Sequence, residues 1–227
     1  MATIRFAFFD VDETLIGLKS MFSFRDFYLR RTLGQADGDV ARRQADQRIR
    51  AQIAQGLHRT EINRLFWQGF KGYAQADVRV AAFEWHAQAR QDANYYIRPA
   101  VEALHEHQHD GVEPVFVSGS SRDILLPLAQ DLKVRHILAN QLEVVAGRYT
   151  GDILAPQTIG DGKRVAIEHF LANEQACAGD CYGYGDHISD LPLLDVVGFP
   201  RVVAGNQDLM AIAQQRGWPV LGHLALQ

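Results

Sequence analysis

The stretch Phe8-Phe9-Asp10-Val11-Asp12-Glu13-Thr14-Leu15 decides how the chain is read. Leading into it, Ile4-Arg5-Phe6-Ala7-Phe8-Phe9 is a short apolar run rich in strand-forming residues, too short for a free-standing helix. The run predicts a buried strand. Two carboxylates then appear two residues apart, where the chain leaves the sheet. In an open parallel α/β sheet, ligands bind at the carboxyl ends of the strands. Residues two apart on an extended segment share a face, so Asp10 and Asp12 can both turn towards one site. Carboxylates that close repel each other and shift each other's pKa unless positive charge lies beside them. A hard cation such as Mg²⁺, held by oxygen ligands, removes that conflict. The plainer reading is an acidic turn that ends a strand, and the rest of the chain decides between the two.

Downstream of Leu15 the alternation of strand and helix stops for about eighty residues. Helices are predicted near Ser20–Leu33, ended by Gly34, and over about Asp39–Gln55, stopped by Gly56. A third begins near Thr60 and carries Ile62, Leu65, Phe66 and Phe70. A fourth begins at about Asp77 and carries Val78, Val80, Ala81, Phe83, Trp85 and Ala89. Helices without strands, set between one strand and the next, indicate a small helical domain inserted in an α/β domain. Alternation resumes at Pro99. Helices are predicted over Ala100–His109, Asp123–Leu132, Gly162–Asn173 and Asp208–Gln215. Strands are predicted at Glu113–Val117, Arg135–Leu138, Cys181–Tyr184, Arg201–Ala204 and Trp218–Leu221, with a hairpin of Leu142–Ala146 and Arg148–Ile153.

Composition narrows the function classes. The 227 residues are 47% hydrophobic, enough to bury a large core. A net charge of −4 supplies no basic field for nucleic acid or an anionic membrane. No run approaches the length of a membrane-spanning helix, and no basic segment with an apolar stretch and cleavage site opens the chain, so a soluble, cytoplasmic protein is expected. Cys177 and Cys181 make no disulfide framework and are expected to be buried free thiols. His105, His107 and His109 on one predicted helix are expected to form a solvated face.

Three predicted strand ends carry polar residues: Asp10 and Asp12, Ser118-Gly119, and Gly185-Asp186-His187-Ile188-Ser189-Asp190. In a parallel sheet they share one edge. A serine hydroxyl and a glycine amide both donate to an oxyanion. Lys163 stands at the start of a helix, where the dipole disfavours a cation; a role there needs acidic partners and an anionic substrate.

In this order the residues resemble the haloacid dehalogenase superfamily. Its four motifs are matched by Asp10-Val11-Asp12-Glu13-Thr14, Val117-Ser118-Gly119, Lys163 and Gly185-Asp186-x-x-x-Asp190, spanning most of the chain. Order and length resemble the phosphoserine-phosphatase-like branch, subfamily IB. The resemblance implies a Rossmann-like α/β core with a parallel sheet flanked by helices, formed by residues 1–16 and 98–227. It implies an α-helical C1-type cap over residues 17–97. It also implies a phosphomonoesterase acting on a small-molecule phosphate ester, with Asp10 as nucleophile and Asp12 as general acid and base. Mg²⁺ would bind the side chains of Asp10 and Asp186 and the backbone carbonyl of Asp12, with Asp190 in support. Ser118, Gly119 and Lys163 would hold the phosphoryl oxygens.

Where phosphoserine phosphatases place a glutamate for the substrate ammonium, this chain has Lys19 at or near the position. A lysine repels an ammonium and favours an anionic or neutral polar group. A cap arginine that grips a carboxylate corresponds to Arg64 or Arg59. Phosphoserine, histidinol phosphate and other small metabolite phosphates stand as candidate substrates. Met21, Phe22, Phe24, Phe27 and Tyr28 are expected in the cap core, with one or two near the pocket entrance. His187 follows Asp186 directly and is a candidate neighbour of the metal or the phosphate. Transfer of the phosphoryl group to an acceptor other than water uses the same intermediate, and a non-catalytic binding protein on this fold is the remaining alternative.

Overall fold

The computed structural model describes residues 5–222. Ile4 and the outer ends of the expected core segments, residues 1–4 and 223–227, lie outside the described residues. β1 (Arg5–Phe9) sits at the centre of a seven-stranded sheet. β2 (Val112–Ser121) flanks it on one side, followed by β3 (His136–Val145) and β4 (Arg148–Leu154). β5 (Tyr182–Gly185), β6 (Phe199–Val203) and β7 (Val220–Leu221) extend the other side, giving the order β4-β3-β2-β1-β5-β6-β7. All pairs are parallel except β3 with β4.

The alternation of β1 decides what packs on each face. Phe6 and Phe8 enter a cluster with Val115, Val117, Ile167, Leu194 and Leu209. Ala7 and Phe9 enter a second one with Ala100, Leu104, Phe116, Leu125 and Leu128. α5 (Arg98–His109) and α6 (Arg122–Asp131) therefore cover one face, and α7 (Asp161–Glu174), α8 (Leu191–Val196) and α9 (Gln207–Arg216) the other; these five follow the four inserted helices in the chain. Fully burying a phenylalanine contributes about 1.5–3 kcal/mol, so Phe6, Phe8 and Phe9 anchor the strand that delivers Asp10.

Between β1 and α5 run the inserted helices: α1 (Ser20–Leu33), α2 (Gln35–Ala54), α3 (Arg59–Gln68) and α4 (Gln75–Ala89). Gly34, at φ 84°, ends α1. His58 and Glu61 form a reciprocal capping box at the start of α3. Phe24, Tyr28, Phe66, Trp67, Phe70, Val78 and Trp85 make an aromatic core that also takes in Ile124 of α6, Leu142 of β3 and Tyr149 of β4. The insert is thus seated on the β4 side of the sheet.

Several elements differ from expectation. α2 starts at Gln35 rather than Asp39, because Gly38 must be helical to lie against α1; a Cβ there would come within 2.7 Å of the Arg30 Cα. Close helix packing overrides the weak helix propensity of glycine. The stretch 136–145 is one strand rather than two. It changes partner without breaking, pairing with β2 up to Asn140 and with β4 from Gln141. The short helix α8 was not expected; Pro192 in its first turn suits a helix start. Both cysteines are free, but only Cys181 is buried. His107 is half-buried, 2.8 Å from the Tyr184 hydroxyl, and burial lowers its pKa to about 4. Among the described residues, no helix is long and apolar enough to cross a membrane.

Gly162, one residue before Lys163, has no room for a side chain: an added Cβ would lie 1.8 Å from the Gln157 carbonyl oxygen. Gly162→Ala must therefore shift the start of α7. Overpacking of this kind costs about 1–3 kcal/mol. The expected result is a melting temperature lower by about 3–10 °C together with reduced turnover, since Lys163 moves with the turn. An unchanged melting temperature in a thermal scan would show that the turn accommodates the methyl group.

Candidate active site

The register of the sheet brings the chemistry-bearing residues together. Phe9 pairs with Phe116 and with Tyr184, so Asp10, Val117-Ser118 and Gly185-Asp186 follow at one level, while β2 itself runs on to Ser121 rather than ending at Val117. The Asp10 amide donates to the Tyr184 carbonyl at 2.9 Å, which continues the ladder one residue past the strand. The chain then folds into a tight turn in which Val11 O accepts from the amides of Leu15 and Ile16. Glu13 takes φ 66° within it, a left-handed conformation that costs a non-glycine residue about 1–3 kcal/mol. The turn directs Asp10 and Asp12 into one pocket.

Lys163, in the first turn of α7, is 4% exposed and lies between two carboxylates. Its Nζ donates to Asp10 Oδ1 at 2.5 Å and to Asp190 Oδ1 at 2.7 Å. These partners answer the unfavourable placement of a cation at a helix N-terminus. Asp190 closes the 3-10 turn Ile188–Asp190, and its Oδ2 accepts from the amides of Asp186 and His187. Gly185 permits this fold-back, because a Cβ there would come 2.6 Å from the Asp190 Cβ. Thr14, fully buried, donates its hydroxyl to Asp186 Oδ1 at 2.8 Å and lies 3.4 Å from Asp10 Oδ2.

Electrostatics follow from burying several like charges. Burial pushes the Asp10 carboxyl up to about 7 against the pull of Lys163, with Asp190 and Asp186 adding to the rise. Burial likewise raises Asp186 to about 6, helped by Asp190. Asp12 rises to about 7 through burial, although Ser20 beside it favours the charged form. Desolvation opposes the charge on Lys163, but the attraction of Asp10 and Asp190 outweighs it and holds the ammonium above its usual range.

Oxygen atoms of Asp10, Asp186 and Asp190 lie within 4.8 Å of one another. Three buried carboxylates facing a single lysine form a donor set suited to a hard divalent cation. Both oxygens of Asp190 are already engaged, by Lys163 and by backbone amides. Asp10 and Asp186 are therefore the side chains placed to hold an ion.

Asp10, Asp12, Lys19, Ser118, Gly119, Lys163, Asp186 and Asp190 all line one cavity of about 120 Å³. Asp12 Oδ1 is buried in the wall with no hydrogen-bond partner among the described residues. Met21, Phe22, Ile62, Phe66 and Ile159 form the apolar side. Of the five residues expected in the cap core, Phe24 and Tyr28 are in its buried cluster, Phe27 packs at that cluster's edge, and Met21 and Phe22 reach the pocket as well. Lys19 pairs with Glu13 at 2.5 Å, both side chains half-exposed. Arg59 lines the pocket and lies 2.9 Å from His187 Nδ1; burial and this guanidinium both lower the His187 pKa. Arg64 does not line the pocket and instead donates to Gln157 Oε1 at 3.1 Å. Thr14 and Asn63 were not singled out by the sequence reading. Thr14 stood inside the first motif and was legible there; Asn63, within an ordinary amphipathic helix, carried no local signal.

Comparison with known proteins agrees with this geometry. A family model described as haloacid dehalogenase-like hydrolase matches residues 7–195. Over 227 aligned residues the chain is 31% identical to a probable phosphatase of Mycobacterium tuberculosis strain H37Rv, covering 95% of this chain and 74% of that one. It is 26% identical over 224 residues to a histidinol-phosphatase of Neisseria meningitidis serogroup C, covering 95% and 97% of the two chains. Among solved structures, a protein of unknown function from Bordetella pertussis Tohama I superposes with a TM-score of 0.83 at 27% identity, over 97% and 99% of the chains. A substrate-bound phosphoserine phosphatase superposes with a TM-score of 0.65 at 17% identity, over 93% and 91%, a likeness of fold. The chain belongs to the haloacid dehalogenase-like hydrolases, and within them it is a phosphatase on the phosphoserine-phosphatase-like fold.

Proposed function

We propose that the chain is a Mg²⁺-dependent phosphomonoesterase that hydrolyses a small-molecule phosphate ester through an aspartyl phosphate on Asp10. The observation that carries this reading is the pairing of Asp10, held by Lys163, with Asp12, whose unpartnered oxygen lies in the wall of the same pocket. A carboxylate oxygen of Asp10 attacks phosphorus while the bond to the ester oxygen breaks, and Asp12 gives its proton to the departing alkoxide. Asp12, now a carboxylate, then takes a proton from the water that attacks the phosphorus of the aspartyl phosphate. Inorganic phosphate leaves, Asp10 is restored, and Asp12 again holds a proton. A pKa near 7 suits a group that must act in both directions at neutral pH. The Ser118 hydroxyl, the Gly119 amide and Lys163 donate to the phosphoryl oxygens as charge spreads over them.

Mg²⁺, held by Asp10, Asp186 and the Asp12 carbonyl, would offset the charge of the carboxylates and the phosphoryl group. Residues 17–97 act as a cap over the α/β core, described here over residues 5–16 and 98–222. Two connecting segments support this division. They run side by side, with the Gly17 amide donating to Tyr95 O and the Ile97 amide to Leu15 O.

Lys19 and Arg59 both face the pocket from residues of the cap. Among the described residues Arg59 meets no carboxylate, whereas Lys19 is already paired with Glu13. Arg59 is therefore the cation most available to an anionic group on the leaving alcohol, with Lys19 disfavouring an isolated ammonium. The names of the relatives, a histidinol-phosphatase and phosphoserine phosphatases, support a small alcohol phosphate as the substrate class.

Phosphate release from a panel of phosphomonoesters, with wild type beside Asp10→Asn, tests the reading. The variant should lose about four orders of magnitude or more in turnover, and esters bearing a carboxylate should outrank those bearing only an amine. Near-normal turnover by Asp10→Asn would remove the nucleophile, and the reverse ranking would remove Lys19 and Arg59 as selectors.

The raised carboxyl pKa values set a pH dependence. Metal-free folded protein keeps protons on Asp10 and Asp186 that the unfolded chain releases near pH 4, so their contribution to stability falls as pH rises from about 4 to about 7. Mg²⁺ binds the deprotonated form, so the rise in melting temperature on replacing EDTA by Mg²⁺ should be larger at about pH 8 than at about pH 5. A rise that does not depend on pH, or no rise at all, would contradict the Asp10/Asp186 site.

A further inference from the structure

Asn63, on α3 of the insert, is 4% exposed, and both polar atoms of its side chain bond to the α/β part of the chain, with Nδ2 also 3.8 Å from Met21 Sδ. Its Nδ2 donates to the Gly119 carbonyl at 3.0 Å. Its Oδ1 accepts from Asn140 Nδ2 and Gln157 Nε2, both at 2.9 Å. Asn140, fully buried at the turning point of β3, also donates to Gly119 O at 2.7 Å and accepts the Thr158 amide at 2.9 Å. The amide orientations are set by their partners: a carbonyl oxygen only accepts and a backbone amide only donates, so neither asparagine can be flipped.

The peptide between Gly119 and Ser120 is therefore gripped at both ends. Its oxygen takes two side-chain amides, and its N–H donates to Ser118 Oγ at 3.0 Å. With Oγ accepting that bond, the Ser118 hydroxyl proton is left to point elsewhere, and the pocket is where Ser118 and Gly119 face. A chain of such bonds polarises along its length.

We propose that Asn63 is a positioning residue: from the cap helix it locks the Gly119–Ser120 peptide and so aims the Ser118 hydroxyl at the phosphoryl oxygens. Asn63 sits on the insert and Gly119 on β2, so the lock is complete only when α3 lies against the strand ends. Cap closure and assembly of the phosphate-binding turn become one event. The inference rests on the phosphatase mechanism above and adds a residue outside the four motifs.

The test is steady-state kinetics with p-nitrophenyl phosphate and Mg²⁺ on wild type, Asn63→Ala, Ser118→Ala and the double variant, each checked by thermal melting. Asn63→Ala should lower kcat on the order of tenfold, less than direct removal of an oxyanion donor, and change KM by less than about threefold. The double variant should be no slower than Ser118→Ala alone, because the first change acts through the hydroxyl that the second removes. Asn63→Asp guards against a folding defect in the alanine variant. It keeps the size and the two accepted bonds but turns an oxygen onto Gly119 O, and it should also lower kcat. A folded variant with unchanged kcat, losses that multiply in the double variant, or a rise in KM alone would overturn the proposal. Wild-type activity that Asp10→Asn abolishes keeps such a failure separate from a failure of the phosphatase reading; wild type that releases no phosphate from any ester would overturn both.

Discussion

The contact between Lys163 and the two carboxylates of Asp10 and Asp190 is the constraint on which the rest of the site depends. All three groups are almost completely buried. Removing charges from water costs several kcal/mol per ion even after relaxation, and attraction repays that only when geometry and hydrogen bonding are good. Two carboxylates on one ammonium leave an excess of negative charge, increased by Asp186 and Asp12. Burial raises the pKa values of Asp10, Asp12 and Asp186, and the neighbouring carboxylates add to the rise. The excess of negative charge suits a pocket that receives a divalent cation and moves a proton, and it depends on a core rigid enough to hold like charges together.

That rigidity comes from the sheet. Phe6, Phe8 and Phe9 bury β1 on both faces, and its parallel register with β2 and β5 brings Asp10, Ser118 and Asp186 to one edge of the sheet. α7 supplies the counter-charge because a turn without room at Gly162 presents Lys163 to the strand ends. The insert contributes what the sheet does not: an apolar wall from Met21, Phe22, Ile62 and Phe66, a cation in Arg59, and an amide in Asn63 that reaches the Gly119 carbonyl.

Much of this was legible in the sequence where it was local. The apolar run before Asp10 and the Asp186/Asp190 spacing announce strand ends, and although Ser118-Gly119 lies inside β2 rather than past its end, the polar residues of all three meet in one pocket. The boundaries of α1 were readable because Gly34 must take a positive φ. What escaped was set by distant partners. β3 stays unbroken because it exchanges one neighbour for another at Asn140, and His107 turns inward because Tyr184 waits there. The choice between Arg59, which opens α3, and Arg64, five residues on in its middle, depends on how α3 is set against the strands, where Arg64 meets Gln157 and Arg59 meets His187. Asn63 and Asn140 are 77 residues apart and belong to no motif.

The central claim is that the phosphoryl group rests on Asp10 during turnover. On this account Asp12→Asn removes the group that activates water, while a good leaving group such as p-nitrophenolate departs without an acid, so the first step outpaces the second and the intermediate accumulates. Peptide mass analysis of this variant, acid-quenched during turnover of p-nitrophenyl phosphate, should find the Asp10 peptide heavier by one phosphoryl group. Turnover with that peptide never modified, or with the phosphoryl group on another residue, would contradict the account.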